Sequence, residues 1–180
     1  MARSRGITLI ELMVTLSIVA ILAVIATPSF TGVIQKARLQ TEANSLVNDL
    51  QFARSESIKR GLPVSVCPSS NGTTCNTVEP FAWERGWIVF NDDNGSGVLD
   101  TATDAPLRVR PGLTSGDTFT PTPSASAVVY SRDGFATNLS QGTVTMKLTT
   151  SPANNNAMRC VEINMAGRQR VLTQGTASCN

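Results

Sequence analysis

Residues 7–27 read ITLIELMVTLSIVAILAVIAT, an apolar run whose one charged residue is Glu11. As a helix rising about 1.5 Å per residue it is about 30 Å long, the thickness of a bilayer's hydrocarbon core. Ahead of it stands MARSRG, with Arg3 and Arg5, and basic residues on a short flank hold that flank in the cytoplasm. A secretory signal would carry a shorter apolar region, about 7–15 residues, closed by a small-residue cleavage site. Here the run is longer, and Pro28 and further helix-like sequence follow it, so the segment is expected to stay attached as a membrane-spanning helix. A carboxylate at the centre of such a helix costs about 2.5–3.5 kcal/mol on insertion scales, and less within the first turns. Glu11 is therefore either an acid reaching the headgroups or an intramembrane charge awaiting a cation from another subunit.

Pro28 removes a backbone donor and is expected to kink or loosen the helix. Beyond it Ala43, Leu46, Val47, Leu50 and Ala53 recur at three-to-four spacing, the stripe of a helix packed against something apolar. Lys59 and Arg60 suit the negative end of the helix dipole, and Gly61 with Pro63 reads as a stop. From there the period changes to two. Residues 64–67, 87–90, 107–110, 128–130, 143–149, 161–165 and 168–172 read as strands, with Ala166-Gly167 a turn between the last two. Turn-rich spacers stand at 69–74, 92–97, 120–126 and 151–156. One helix followed by strands implies an α+β fold, with a mainly antiparallel sheet packed on the outer half of the helix. The 180 residues are enough for one domain with little left over.

The string Gly6-Ile7-Thr8-Leu9-Ile10-Glu11-Leu12 resembles the class III signal of type IV pilins and pseudopilins, where Phe is usual in place of Ile7. Gln51-Phe52-Ala53-Arg54-Ser55-Glu56-Ser57, and Gly86-Trp87-Ile88-Val89-Phe90 leading into Asp92-Asp93-Asn94-Gly95, are similar to segments of minor pilins of the FimT, FimU and GspH type. The resemblance implies a type IV pilin-like fold. Residues 1–6 would be a leader, cut after Gly6 by prepilin peptidase, with N-methylation of the new amine at Ile7. Residues 7–60 would form the N-terminal helix, transmembrane over 7–27 and amphipathic over 28–60, and 61–180 a β-rich periplasmic domain. Glu11 would pair with the terminal amine of a neighbouring subunit. The implied partners are other major and minor pilins, met first in the inner membrane and then in a pilus or pseudopilus. Type IV pilus and type II secretion subunits share these features, so both stay open.

Composition narrows the chemistry. The chain has no histidine, which excludes Ser-His-Asp triads, Cys-His nucleophiles and histidine zinc sites. No catalytic residue, metal site or cofactor is assigned. Four cysteines in an exported domain point to two disulfides, for which three connectivities exist. The sequential pairing, Cys67 with Cys75 and Cys160 with Cys179, is expected because each bridge closes a local structure. The stretch 92–100 partly imitates a calcium loop through Asp92, Asn94 and Ser96, but the twelfth position is Thr103 where a bidentate Glu is needed.

Charge is segregated along the chain. Residues 79–104 hold six acids and one base, a net charge of −5, whereas 105–180 hold seven bases and three acids, a net charge of +4. Arg168 and Arg170, two apart on an expected strand, would share a face about 6–7 Å apart, a spacing that suits successive phosphates. The plain alternative is a solvated strand face. Gly167-Arg168-Gln169-Arg170 is similar to the GRxR motif of FimT-type minor pilins, which are implicated in capturing DNA during natural transformation. That resemblance assigns phosphate contacts to Arg168 and Arg170 and the presenting turn to Gly167. Binding would be weak and indifferent to base sequence. No aromatic residue is interleaved with the arginines, so base stacking is not expected. Sequence alone does not place Arg159 relative to them.

Overall fold

The computed structural model describes residues 6–113, 115–176 and 178–180, with backbone alone over 24–29. Helix α1 (Leu9–Arg60) is 52 residues, about 78 Å at 1.5 Å per residue. Thr8 caps its start, with extended backbone and a side-chain oxygen that accepts from Glu11 N at 3.3 Å. Gly61 ends it at φ 68°, donating its N–H to Ser57 O at 2.9 Å, a left-handed cap that favours glycine. The helix is not divided at Pro28: helical backbone continues through that position.

The two ends of α1 have different surroundings. Leu39, Ala43, Leu46, Leu50 and Ala53 are fully buried, and complete burial of one leucine contributes about 1.5–3 kcal/mol. Leu9, Ile10, Leu16, Val19 and Leu22 are exposed, Leu9 at 77%. Among the described residues no helix is long and apolar enough to cross a membrane.

The buried stripe lies on the antiparallel sheet structure expected, which is divided into two four-stranded sheets. One has the order β3 (Pro106–Pro111), β2 (Gly86–Asn91), β1 (Val64–Pro68), β5 (Val128–Tyr130). The other has the order β4 (Thr118–Thr122), β6 (Thr143–Thr149), β7 (Arg159–Asn164), β8 (Gln169–Thr173). Strand β4 falls partly in the stretch read as the 120–126 spacer. It carries Pro121, which an edge strand tolerates, and it alternates exposed threonines with buried Phe119. The Phe119 ring meets Trp87 edge-on at 5.9 Å. Trp83, Tyr130, Met146, Leu148, Val161 and Ile163 complete the core beneath the helix.

Polar side chains fix α1 to this base. The buried Asp49 carboxylate accepts from Trp87 Nε1 at 2.9 Å, Arg108 Nη1 at 2.7 Å and Arg110 Nε at 3.2 Å. The Arg108 guanidinium also lies 3.9 Å from the centre of the Phe52 ring. Arg38 grips buried Asp117 with two bonds of 2.7 and 2.8 Å. Asn154 donates to Gln35 at 2.7 Å, and Arg159 to Gln40 at 2.8 Å.

Candidate functional site

Residues 165–168 join β7 to β8, and Asn164 and Arg168 close a three-residue turn, 165–167. Gly167 N donates to Asn164 O at 2.8 Å, and Asn164 N donates to Arg168 O at 3.1 Å. Arg168 N donates to Asn164 Oδ1 at 3.0 Å. Such loops end on a residue with left-handed backbone, here Gly167 at φ 71°. A Cβ at this position would stand 2.2 Å from Gly134 O, so the turn demands glycine on two counts. From the helix, Arg54 Nη1 donates to Gly167 O at 3.0 Å. Gln169 Nε2 donates to the hydroxyl of buried Tyr130 at 2.6 Å, and burial pushes that phenol well above its ordinary range. The hairpin end is thus fixed from below and from the side.

The arginines sit differently from the sequence expectation. Strand β8 starts at Gln169, so Arg168 belongs to the loop's exit and only Arg170 to the strand. Both are exposed, and both line one polar cleft of about 160 Å³ together with Glu162 and Asn164. Arg170 lies opposite Glu162 in register and pairs with it at 2.7 Å. Arg168 forms no ion pair among the described residues. It also borders a second cleft of about 380 Å³, shared with Gln51, Arg54, Ser55, Ile58 and Gln169. Arg159 is elsewhere, held by Gln40, Ala157 O and Met158 O. Sequence reasoning missed Arg54 and Glu162. The available signal for Arg54 was its place: it follows Leu46 and Leu50 at four-residue steps on a buried stripe, where a charge needs a partner.

Other candidate groups have clear surroundings. Cys67 is joined to Cys75, and Cys160 on β7 to Cys179. Asp92 is buried and holds its own loop: its carboxylate accepts from Ser65 Oγ at 2.6 Å, Gly97 N at 2.7 Å and Ser96 N at 2.9 Å. Those bonds tie the carboxylate into the turn that it closes. Gly6, Ile7 and Glu11 are exposed, with Glu11 in the first turn of α1. Residues 1–5, expected to belong to a leader, lie outside the described residues.

The family model described as type II transport protein GspH matches residues 42–167. The model of the prokaryotic N-terminal methylation motif matches residues 1–27. The first match ends at Gly167, so Arg168 and Arg170 lie just past it. Among solved structures, the type IV minor pilin FimU of Pseudomonas aeruginosa is similar in two crystal forms. One superposes with TM-score 0.58 at 21% identity, covering 79% of this chain and 96% of that one. The other has TM-score 0.56 at 22% identity, covering 78% and 99%. At that identity the likeness is one of fold.

Proposed function

The chain belongs to the family of the type II transport protein GspH, and on that premise we propose that it is a minor type IV pilin of the FimT/FimU/GspH type that also binds DNA. Its leader, 1–6, is removed after Gly6, and Ile7 is N-methylated. Residues 7–27 cross the inner membrane once, leaving 61–180 in the periplasm until assembly into the filament. Glu11 answers the amine of the neighbouring subunit. The observation that supports assembly is the contrast along α1, where the apolar residues of 7–22 are exposed while Leu39, Ala43, Leu46, Leu50 and Ala53 are buried. Apolar surface of that extent needs lipid or other helices as its solvent. Intact-mass analysis of membrane-extracted protein should give a chain beginning at Ile7. In sheared fractions Glu11→Ala should remain in membranes and be lost from filaments. A chain starting elsewhere, or unchanged incorporation, overturns this part.

DNA binding rests on Arg168, an exposed cation with no ion pair among the described residues, on a rigid hairpin. Contacts to the backbone give weak affinity with little base preference. In anisotropy titrations of the full-length protein with labelled duplex, Arg168→Gln should lower the slope of log affinity against log salt by about one. The added Arg170→Gln leaves the Glu162 carboxylate unpaired beside the phosphates and should abolish detectable binding. A second reading, a pseudopilin of type II secretion without DNA binding, draws on the description attached to the matched family. Absence of DNA binding by the unsubstituted protein would leave a purely structural subunit, either this pseudopilin or a minor pilin of the FimU kind.

A further inference from the structure

Two loops at the hairpin end are built alike. In 131–135, Gly134 N donates to Ser131 O at 2.8 Å and Ser131 N donates to Phe135 O at 2.8 Å. Gly134 has φ 80°, and Phe135 N donates to Ser131 Oγ at 3.3 Å. Every one of these bonds has its counterpart in 164–168, including the one that the Asn164 side chain accepts. The residue after the left-handed glycine is Arg168 in one loop and Phe135 in the other. The loops also touch. Ala136 N donates to Met165 O at 3.0 Å, and Gly134 O closes on Gly167. Arg54 Nε lies 3.0–3.2 Å from where a Cβ on either glycine would stand. Phe135 is 55% exposed, and Arg132 on the same loop is exposed, 3.9 Å from Asp133.

An exposed ring among cations is how single-stranded nucleic acid is held: arginines follow the phosphates while bases stack on aromatic faces. A duplex keeps its base faces stacked within and offers only edges and backbone. Resting on the DNA-binding reading of the same hairpin, we infer that this end of the domain selects single-stranded DNA, with a base stacked on Phe135 and the adjoining phosphate held by Arg168. The ring and the arginine are far apart in sequence, so only the abutting loops reveal the pair.

The test compares a labelled oligothymidylate of about 20 nucleotides with a duplex of the same length, each titrated with the processed full-length protein in neutral detergent. The single strand should bind more tightly. Phe135→Ala should weaken single-strand binding about tenfold, leave duplex binding nearly unchanged, and leave the salt slope unaltered because no charge is removed. Phe135→Trp should retain the preference, which guards against a folding defect. Arg168→Gln should weaken both ligands and lower both slopes. Equal affinity for the two ligands, or a Phe135→Ala protein with its preference intact, overturns the inference and leaves the backbone reading standing. No binding to either ligand removes both. A Phe135→Ala protein that keeps its single-strand preference but fails to enter filaments assigns the ring to a subunit contact, and that too overturns the inference.

Discussion

Arg108 and Arg110 stand two residues apart on β3, as Arg168 and Arg170 stand two apart where β8 begins, yet the pairs differ in what lies beneath them. Under the first is Asp49, a fully buried carboxylate on the helix, so both guanidiniums are drawn onto one acid that the Trp87 indole also bonds. Beneath the second, among the described residues, the acid is Glu162, largely but not fully covered and engaged by Arg170 alone. Spacing along a strand sets the direction of two side chains. Whether their charge reaches solvent is decided by the residue they cross on another element. The first pair is architecture, and the second has Arg168 to offer.

The largest expected effect would come from emptying the first pair. Arg108→Gln with Arg110→Gln leaves Asp49 buried and bonded only by an indole, a change that costs about 3–5 kcal/mol and lowers the thermal midpoint by about 10 °C. Arg168→Gln with Arg170→Gln removes the same formal charge from the surface and should cost under about 1 kcal/mol. Thermal unfolding of the two double variants side by side checks this, and equal midpoints would break the distinction. The two pairs are therefore not interchangeable charge controls in a binding assay.

Gly167→Ala should come next, at about 2 kcal/mol, because the left-handed backbone is strained and Gly134 O must move. Gly61→Ala, with similar φ and nothing within 4 Å of the added carbon, should cost only about 1 kcal/mol. The difference between the two measured stabilities isolates the contact between loops. Glu162→Gln sharpens the comparison in the other direction. With Arg170 released, the salt slope of DNA binding should rise by about one while stability barely changes. The smallest effect belongs to Glu42, whose carboxyl is raised above its ordinary range by burial, with Asp117 adding to that and Arg110 and Arg38 opposing it. A carboxyl raised on folding favours the folded state when protonated, so its contribution is full in acid and is lost as pH rises through the folded value. Glu42→Gln should therefore raise the midpoint slightly at neutral pH and leave it unchanged in acid.

The long helix was legible because its signals are local: a stripe at 43–53, cations in the last turn, then Gly61. Most strands were legible from alternation. Strand β4 was not, because Pro121 reads as punctuation unless the strand is known to lie at an edge. The division into two sheets was hidden as well, since alternation marks strands and not their neighbours. At the hairpin, Gly167 was rightly placed in a turn. The loop's third residue must be the left-handed one, however, and that moves Arg168 off the strand. Asp49 and Arg54 were readable as charges on an apolar stripe, although the stripe did not say what they meet. Phe135 gave no sign, because its exposure on a loop that abuts the one ending at Arg168 depends on two loops of matching shape.

The ties along α1 at Gln35, Arg38, Gln40, Asp49 and Arg54 span about 28 Å of its length. Each joins the helix to a different part of the base: the loop before β7, the segment before β4, β7, β3 with β2, and the β7–β8 turn. A pull along the helix axis therefore loads them together, in shear, rather than peeling them one after another. Under tension the domain should hold its helix until several contacts fail at once, so rupture would be abrupt and at high force. Load applied across the axis at Arg60 would instead meet the Arg54 tie first, and the hairpin turn would be the first part of the surface to feel it.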